Sequence, residues 1–476
     1  MTIEQLYNIY LLHPTIQTDT RKLRPGDLFF ALKGPNFNGN QFAARALELG
    51  AAYAIIDEPL SVGPSAPPVA PPDSNDRLIL VPDTLQTLQQ LALHHRKQFN
   101  IPFIAITGSN GKTTTKELIH AVLSSTFRTY TTQGNLNNHI GIPLTLLSVR
   151  PDAQLAVIEM GANHQKEIEG YCKYTLPTHG IITNIGKAHL EGFGGPEGVK
   201  KGKGELFDFL RSNDGTAFVM WDYEELREMS RGIPHIIKYG THDADITGQL
   251  LGPGPWTSYP PMEDDELKQM LSQQKASDNN NNNNEPPPSR VPSAFLALRI
   301  TAGADISIIG TRFVGDYNLP NVLAAVAVGK HFGVPDKAIK TAIEMYIPSN
   351  SRSQLIEQDS NDIILDAYNA NPSSMRAAIE NFAVKPGAKV LILGAMAELG
   401  PESLNEHRGI VDLIGQYQWQ DVVLVGGDFQ KIDHPYHRFN NSREAAQWLH
   451  HAGLKDAYIL IKGSRSMKME EVLLPA

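Results

Sequence analysis

The segment Thr107-Gly108-Ser109-Asn110-Gly111-Lys112-Thr113-Thr114 follows directly on the apolar run Phe103-Ile104-Ala105-Ile106. The apolar run predicts a buried parallel strand, and the sequence after Lys112 predicts a helix. A glycine-rich turn between strand and helix lets backbone N–H groups converge on phosphate at the positive end of the helix. The strict G-x-x-x-x-G-K-[ST] pattern is not met, because Ile106 stands where the first glycine belongs. The segment nevertheless favours a nucleoside triphosphate site over a chance glycine-rich turn.

Two side chains of this loop would contact the phosphates and their counter-ion. Lys112 would bring a positive charge near the β- and γ-phosphates, and Thr113 would offer a hydroxyl ligand to Mg²⁺. The remaining positions of the predicted nucleotide-binding loop are Gly108, Ser109, Asn110, Gly111 and Thr114.

Length and composition describe a globular protein of several domains. The chain has 476 residues, 41% of them hydrophobic and 20% charged, which is enough for about three domains. The net charge of −9 argues against a nucleic-acid partner. Cys172 is the only cysteine, so an intramolecular disulfide is excluded and a reducing compartment is favoured. The N-terminus is not signal-like and no apolar run has membrane-spanning length, so the sequence predicts a cytoplasmic protein without a membrane span.

The fold class is α/β, in three predicted domains. Residues 1–98 form a small α/β unit, residues 99–316 a parallel sheet around the phosphate loop, and residues 317–476 a Rossmann-like α/β unit without such a loop. The predicted strands are 27–32, 53–56, 103–106, 155–158, 180–183, 363–365, 390–393, 422–425 and 458–461. The predicted helices are 42–49, 85–98, 373–382, 404–417 and 442–452.

Two segments have a composition that leaves little to bury. Residues 61–76 are rich in proline, alanine and serine and predict a surface loop. Residues 250–292 are proline-rich, then acidic, and contain the run Asn279–Asn284. This composition predicts a disordered or mobile insertion in the central domain, with no functional residues.

Polar residues follow the predicted central strands, where an open parallel sheet places its ligands. Glu159 ends the second strand and could hold Mg²⁺ opposite Thr113, although a glutamate in this position can also simply face solvent. His189 follows the next strand, but histidine is an unusual ligand for Mg²⁺. Lys203 lies in a basic run that would by default be solvated.

Two loops are rich in amides. The segments 134–138 and 366–372 each place several asparagines close together, and such groups recognise amides, carboxylates or ribose hydroxyls. Structural Asx-turns are an equally good interpretation of either loop alone. Arg352 could contact phosphate, cap a helix or pair on the surface.

Taken in order, these motifs resemble those of the Mur ligases, the ATP-dependent amide ligases of peptidoglycan precursor synthesis. The matching segments are 107–114, 134–138, 159–163, 183–191, 203–206, 318–321 and 366–372. Segments 369–372, 398–400 and 462–465 are most similar to the branch that adds D-alanyl-D-alanine to UDP-N-acetylmuramoyl-tripeptide, and 18–34 looks like its UDP-recognition segment. The resemblance implies ATP and Mg²⁺ as cofactors, an acyl-phosphate intermediate, small-molecule substrates and a monomer.

The resemblance also implies roles for single residues. Lys112, His189 and Lys203 would be catalytic, and Lys203 would be carbamylated to help hold a second Mg²⁺. The metal ligands would be Thr113, Glu159, His189 and the modified Lys203. The nucleotide would further be contacted by Asn318, Asn321, Arg352 and Asp366. The substrates would be bound by Thr18, Asp19, Thr20, Arg21, Lys33, Asn135, Asn137, Asn138, Asn369 and Asn371.

Three positions depart from the family pattern. Tyr317 replaces a histidine, Thr20 replaces a serine, and Ala395 replaces an aspartate, so one carboxylate of the C-terminal domain is missing. Competing interpretations are folylpolyglutamate synthase of the same superfamily, a P-loop kinase or GTPase, and a non-catalytic nucleotide-gated protein. The family reaction also implies closure of the C-terminal domain about a hinge near residues 315–320. The sequence leaves the third residue of the tripeptide open.

Overall fold

The computed structural model of the protein describes residues 1–59, 75–251, 295–348 and 351–474. Its first unit is a four-stranded parallel sheet with helices on its faces. The strands, in the spatial order β1-β2-β5-β6, are β1 (Ile16–Gln17), β2 (Leu28–Phe30), β5 (Tyr53–Ile56) and β6 (Leu78–Leu80). A hairpin of β3 (Lys33–Gly34) and β4 (Phe37–Asn38) stands beside it, and the helices are α1 (Ile3–Leu12), α2 (Ala43–Glu48) and α3 (Thr84–Arg96).

The second unit is a nine-stranded sheet in the order β15-β14-β13-β12-β11-β10-β7-β9-β8. Its strands are β7 (Phe103–Thr107), β8 (Thr129–Thr131), β9 (Leu155–Glu159), β10 (His179–Ile182), β11 (Thr216–Met220), β12 (His235–Gly240), β13 (Ile246–Leu250), β14 (Phe295–Ala302) and β15 (Ile308–Val314). All residues of β7 and β9 are buried, as expected of inner strands covered on both faces. The strands from β7 to β13 are parallel to their neighbours, whereas β14 and β15 add an antiparallel edge.

The helices of this unit are α4 (Lys112–Ser124), α5 (Gly141–Ser148), α6 (Glu167–Thr175), α7 (Leu190–Phe193), α8 (Pro196–Ser212) and α9 (Glu224–Met229). After β7 the chain continues to β8 on one side, while β10 pairs with β7 on the other side. Such a reversal of strand order opens a crevice at the carboxyl ends of the strands. The phosphate loop lies at this crevice.

The third unit is a six-stranded sheet in the order β16-β17-β21-β18-β19-β20. Its strands are β16 (Gln354–Gln358), β17 (Asn361–Asp366), β18 (Ala388–Gly394), β19 (Asp421–Val425), β20 (His437–Phe439) and β21 (Ala457–Lys462). Only the edge strand β16 runs antiparallel. The helices of this unit are α12 (Pro372–Ala383), α13 (Ser403–Ile414) and α14 (Ser442–His451).

Two further helices, α10 (Leu319–His331) and α11 (Asp336–Met345), precede this third sheet. They pack on α4 and on strands of the central sheet, and nearly all of α10 is buried. The predicted domain boundary at 317 and the hinge near 315–320 stay predictions. The packing of α10 and α11 favours a boundary after Met345, between residues 346 and 353, and we propose it there.

The predicted α/β fold and the predicted parallel sheets are confirmed, and the predicted strands and helices lie within three residues of the observed bounds. The antiparallel strands β14, β15 and β16 did not follow from the sequence. The predicted insertion at 250–292 and the loop at 61–76 lie almost entirely outside the described residues. Among the described helices, none is long and apolar enough to cross a membrane.

Candidate active site

The phosphate loop connects the carboxyl end of β7 to the start of α4. Gly108 and Gly111 have φ values of +141° and +78°, conformations that favour glycine. Lys112 is the first residue of α4, and its Nζ donates to the carbonyl oxygens of Gly108 at 2.7 Å and Ser109 at 3.3 Å. Burial lowers the pKa of Lys112, while the carboxylate of Glu159 raises it. The loop therefore presents an amine with no anionic hydrogen-bond partner among the described residues.

The segment after β10 holds the loop from the other side. Asn184 accepts a hydrogen bond from the N–H of Asn110 at 3.0 Å and donates one to its carbonyl oxygen at 3.1 Å. The hydroxyl of Ser109 donates to the carbonyl oxygen of Gly186 at 3.0 Å. A Cβ at Gly108 would lie 2.0 Å from the hydroxyl of Thr183. Side-chain and backbone contacts together thus fix the loop before any ligand is bound.

The predicted nucleotide contacts Asn318 and Asn321 support α4. The hydroxyl of Thr115 donates to Oδ1 of Asn321 at 3.0 Å, and Nδ2 of Asn321 donates to Oδ1 of Asn318 at 3.0 Å. Nδ2 of Asn318 in turn donates to the carbonyl oxygen of Val314 at 3.0 Å. Both asparagines line the cleft, but their amides are already engaged in this chain of hydrogen bonds.

Glu159 stands at the carboxyl end of β9 with its side chain buried. One carboxylate oxygen accepts a hydrogen bond from Nδ2 of Asn137 at 2.8 Å. The other, Oε2, is buried without a hydrogen-bond partner. A buried carboxylate oxygen in this state is costly unless a cation or donor reaches it. Glu159 therefore fits the predicted role of a metal ligand.

His189 lies in a left-handed conformation at the start of α7, with φ of +53°. Its Nδ1 lies 2.5 Å from Oε2 of Glu398 in the third unit, although the approach is not aligned as a hydrogen bond. This contact with His189 holds the pKa of the Glu398 carboxyl below its usual range, against the opposing effect of burial. Glu398 was not among the predicted site residues.

Lys203 lies on α8, beneath the cleft and not on its surface. The residue is 1% exposed, its Nζ donates to the carbonyl oxygen of Ala162 at 2.9 Å, and it lies 4.9 Å from the centre of the Phe193 ring. Burial, and then the charge of Lys112, lower its pKa well below the ordinary value. Ala162 and Lys112 line the cleft, whereas Phe193 does not.

The third unit brings opposite charges to the same cleft. Asp366 ends β17 and accepts hydrogen bonds from Nζ of Lys462 at 2.6 Å and from the N–H of Ser353 at 3.2 Å. The guanidinium of Arg352 lies 3.5 Å from the centre of the Tyr368 ring, and its Nε is buried without a partner. Lys462 and Tyr368 were not among the predicted site residues. They lie in the segments 462–465 and 366–372, which resemble motifs of the family.

Tyr317, which stands where the family pattern has a histidine, also lines this cleft. Its hydroxyl lies 3.0 Å from Oγ of Ser353, so it links the segment before α10 to the third unit. Burial raises the pKa of this phenol, which is therefore a neutral group near neutral pH. Ala395 directly follows β18, is buried, and has no polar side-chain group.

The central and third units meet across a cleft of about 680 Å³. Nδ2 of Asn371 donates to Oδ1 of Asn110 at 2.7 Å, and the N–H of Lys187 donates to Oγ of Ser373 at 3.0 Å. Lys187 also pairs with Glu406 at 2.6 Å. The predicted residues that line the cleft are Ser109, Asn110, Gly111, Lys112, Thr113, Thr114, Asn137, Asn138, Glu159, His189, Asn318, Asn321, Arg352, Asp366, Asn369 and Asn371.

Other predicted residues lie outside this cleft: Gly108, Lys203, Asn135, Thr18, Asp19, Thr20, Arg21 and Lys33. In the first unit, Asp19 pairs with Arg21 at 2.7 Å, and this hydrogen-bonded contact lowers the pKa of Asp19 to about 2. Lys33 pairs with Asp57 at 3.2 Å and with Glu58 at 3.3 Å. Asn138 caps the start of α5, since its Oδ1 accepts from the N–H groups of residues 140 and 141.

Comparison with known proteins agrees with the order of these motifs. Three family models match: the catalytic domain of the Mur ligase family over residues 14–96, the Mur ligase middle domain over 106–259, and the Mur ligase glutamate ligase domain over 351–465. The UDP-N-acetylmuramoyl-tripeptide--D-alanyl-D-alanine ligases of Bacillus subtilis (strain 168) and Escherichia coli (strain K12) are each 33% identical, over 96% of this chain and 92% of their own.

A crystal structure of MurF from Acinetobacter baumannii is similar to the whole molecule. The identity is 29%, the TM-score is 0.80, and the match covers 99% of this chain and 97% of that chain. The match therefore includes all three units, of which the central and third line the cleft. The chain belongs to the Mur ligase family.

Proposed function

We propose that the protein is an ATP-dependent peptide ligase that joins D-alanyl-D-alanine to UDP-N-acetylmuramoyl-tripeptide and releases ADP and phosphate. Relatives with this name match the chain over nearly its full length. The observation that carries the proposal is the set of unpartnered buried atoms in one cleft. Two such side-chain atoms line it, Oε2 of Glu159 and Nε of Arg352, whereas Nδ1 of His189 lies 2.5 Å from the Glu398 carboxylate.

The reaction has to make a poor acyl donor reactive. Transfer of the γ-phosphoryl group of ATP to the terminal carboxylate of the tripeptide gives an acyl phosphate and ADP. The amine of D-alanyl-D-alanine then attacks the acyl carbon, loses a proton, and displaces phosphate as the C–O bond breaks. Lys112 and Arg352 are the cations placed to offset charge on the phosphoryl oxygens.

Mg²⁺ belongs to this proposal, and the residues present fit it. Glu159 offers an unpartnered oxygen, and Thr113 lies on the same cleft at the start of α4. His189 and a carbamylated Lys203 would complete the set of ligands. Bound there, the ion would neutralise phosphate charge that the protein's own cations leave unbalanced.

Lys203 has the environment that carbamylation requires. Burial lowers the pKa of Lys203 and so raises the share of neutral amine, whose lone pair can attack the carbon of CO₂ and form a carbamate with loss of a proton. The modification would turn an amine into an anion beside the carbonyl oxygen of Ala162. An intact-mass increase equal to one CO₂, lost on acidification and absent from Lys203→Met, would support it.

Exclusion of water is the second task of the cleft, because water also attacks an acyl phosphate. The third unit covers the phosphate loop through the Asn371–Asn110 and Lys187–Glu406 contacts. A closed cleft aligns the amine and keeps bulk water away. The predicted monomer and the cytoplasmic location belong to the same proposal.

A coupled assay tests the proposal. Phosphate release should require ATP, UDP-N-acetylmuramoyl-tripeptide and D-alanyl-D-alanine together, and mass spectrometry should detect the muramyl pentapeptide. Glu159→Gln should abolish release while the protein stays folded. ATP binding without any phosphate release would favour a nucleotide-gated binding protein, and ligation of glutamate to a folate would favour the folylpolyglutamate alternative.

A further inference from the structure

A pair of histidines lies on the central unit, away from the cleft. His179 is the first residue of β10 and His331 is the last residue of α10. Their Nε2 atoms are 3.1 Å apart, and their ring centres are 5.1 Å apart with planes inclined at 63°. The cleft lies at the opposite, carboxyl end of β10, and neither histidine lines it. The ligase reaction has no use for this pair.

We propose that His179 and His331 form a separate metal site that binds a divalent transition cation, such as Zn²⁺, Ni²⁺ or Cu²⁺, through both Nε2 atoms. Water would fill the other coordination positions, because no group of three or more metal-ligating side chains occurs among the described residues. Imidazole nitrogen suits these ions and not Mg²⁺. The proposal goes beyond the ligase function and does not depend on it.

The spacing of the two nitrogens suits one shared ion. Two nitrogens bound at the usual metal–nitrogen distance are separated by about 3.3 Å in a tetrahedral site and by about 2.9 Å in a square-planar site. The observed 3.1 Å lies between these values. His331 is exposed, so a small rotation of its ring can turn both lone pairs toward a common point.

The neighbours of His179 favour the tautomer that a metal needs. Its Nδ1 lies 2.8 Å from Oγ1 of Thr178, which accepts from the N–H of Phe103 at 3.0 Å and donates to the carbonyl oxygen of Phe103 at 3.2 Å. With the hydroxyl proton committed in this way, Nδ1–H of His179 donates to Thr178 and Nε2 carries the lone pair. This is the usual outer-shell arrangement of a metal-binding histidine.

The surroundings of the pair also favour a bound cation. His331 ends a helix of 13 residues, whose negative pole favours a cation. The rings of Phe218 and Phe332 lie 6.1 Å and 5.0 Å from the His179 ring and shield the pair from one side.

Spectroscopy and calorimetry on the untagged, full-length, Mg²⁺-saturated protein test the proposal. Cu²⁺ should give an electron paramagnetic resonance signal with two equivalent nitrogens, and Zn²⁺ should bind with one site that is lost in the variants. His331→Ala should weaken binding by at least about tenfold, as losses around metal sites usually do. His235→Ala removes another exposed histidine, which pairs with Asp214, and should change nothing.

Variants at His331 and His179 separate a loss of metal binding from a loss of folding. His331 is exposed, so its replacement should leave the fold and Mg²⁺-dependent ADP formation at the wild-type level. His179→Gln tests the partly buried partner in the same way. Unchanged Zn²⁺ affinity in both variants, or a Cu²⁺ signal with a single nitrogen, would show that the two rings share only an ordinary hydrogen bond.

Discussion

Lys112 makes two hydrogen bonds to loop carbonyls that a bound nucleotide would replace. We expect Lys112→Met to lower ATP affinity by about 10- to 100-fold, the value of a lost charge-assisted hydrogen bond to phosphate. Its folding stability should stay the same or rise, since the variant removes a buried amine that has no anionic hydrogen-bond partner. Equilibrium titration with a fluorescent ATP analogue and urea unfolding measure the two effects.

Lys116 is the matched control for this substitution. It lies one turn further along α4, is fully buried, and donates to the carbonyl oxygen of Thr132 at 2.6 Å. Lys116→Met should lower the free energy of unfolding, because that carbonyl oxygen loses its donor. Equal losses of ATP affinity in the two variants would contradict a phosphate-binding role that is specific to Lys112.

His407 makes the stability of the third unit sensitive to acid. Its Nε2 accepts from the N–H of Met396 at 3.0 Å and its Nδ1 donates to the carbonyl oxygen of Ser403 at 2.7 Å, so the neutral form is required. Burial lowers its pKa below the ordinary value of 6.5. The unfolded chain then binds more protons below that value, and stability is lost as the pH falls from about 6.5 toward the lower pKa of the folded state.

The free energy of unfolding should therefore decrease when the pH is lowered from 7.5 to 5. In the His407→Gln variant this decrease should be smaller. Urea titrations at both pH values measure the difference between the two slopes. Other buried histidines contribute to both proteins alike, so the comparison isolates His407. Identical slopes would mean that this imidazole stays neutral in the unfolded chain as well, or is protonated in both states.

Single functional residues can be predicted from the sequence when their own chemistry points to a role. A lysine in a glycine-rich turn and a glutamate at a strand end both reach the cleft. Glu398, Tyr368 and Lys462 could not be singled out in this way, because their partners lie far away in the chain. Oδ1 of Asn138 and the amide of Asn321 make hydrogen bonds beside helix ends, and the predicted substrate and nucleotide contacts of these residues stay predictions.

Among the elements, the junction of the phosphate loop with α4 is the most constrained. Gly111 has φ of +78°, and a Cβ there would lie 2.7 Å from Oδ1 of Asn321. Gly111→Ala should cost about 1–2 kcal/mol for the left-handed backbone and more for the clash. It should also lower ATP affinity, because Asn321 can no longer hold Thr115.

Gly333 is a matched control, since it has the same φ of +78° and open space around a new Cβ. Gly333→Ala should show only the backbone cost and leave ATP affinity unchanged. Urea unfolding and nucleotide titration of both variants measure the difference. If the two glycines prove equivalent, the contact between the loop and Asn321 does not constrain the site.

Nine strands of the parallel sheets could be predicted because they are short, continuous apolar runs bounded by turns: β2, β5, β7, β9, β10, β17, β18, β19 and β21. The hairpin of β14 and β15 could not, since it follows an insertion of biased composition and its residues alternate between buried and exposed. β8 is a three-residue strand with two threonines, which gives no apolar run to detect. The strands β1, β6, β11, β12, β13 and β20 were not predicted either, and β11 shows that burial alone does not make a strand recognisable in the sequence.

For the whole molecule, the contacts between the central and third units describe a closed arrangement. Lys187→Ala and Glu406→Ala should each shift it toward an open one by up to about 1 kcal/mol, or about fivefold, as expected for a partly exposed ion pair. The double variant should be no more open than either single variant. Small-angle scattering with and without ATP analogue and muramyl tripeptide measures the shift.

If the effects of the two substitutions add in the double variant, Lys187 and Glu406 act independently. Gln5→Ala, on the outer face of α1, controls for general loosening of the molecule. A scattering profile that ligands leave unchanged in the wild-type protein would contradict domain closure altogether.

The number and order of the three units followed from repeated strand–helix patterns, whereas the boundary at 317 stays a prediction. The alternation simply continues from β15 into α10 and α11, and only packing shows that these helices rest on the central sheet. Periodicity reports local structure, whereas a boundary depends on which surface a helix buries. The predicted UDP-recognition residues remain outside the cleft for a similar reason, because their position depends on how the first unit sits.

The hydrogen bond between Thr115 and Asn321 joins positions 206 residues apart. During translation, more than two thirds of the 476 residues must therefore leave the ribosome before α10 can reach α4. A nascent chain that ends earlier would carry the phosphate loop without Asn321, which supports α4. We therefore expect the nucleotide to bind late in biosynthesis, after α10 has been made and has packed on α4.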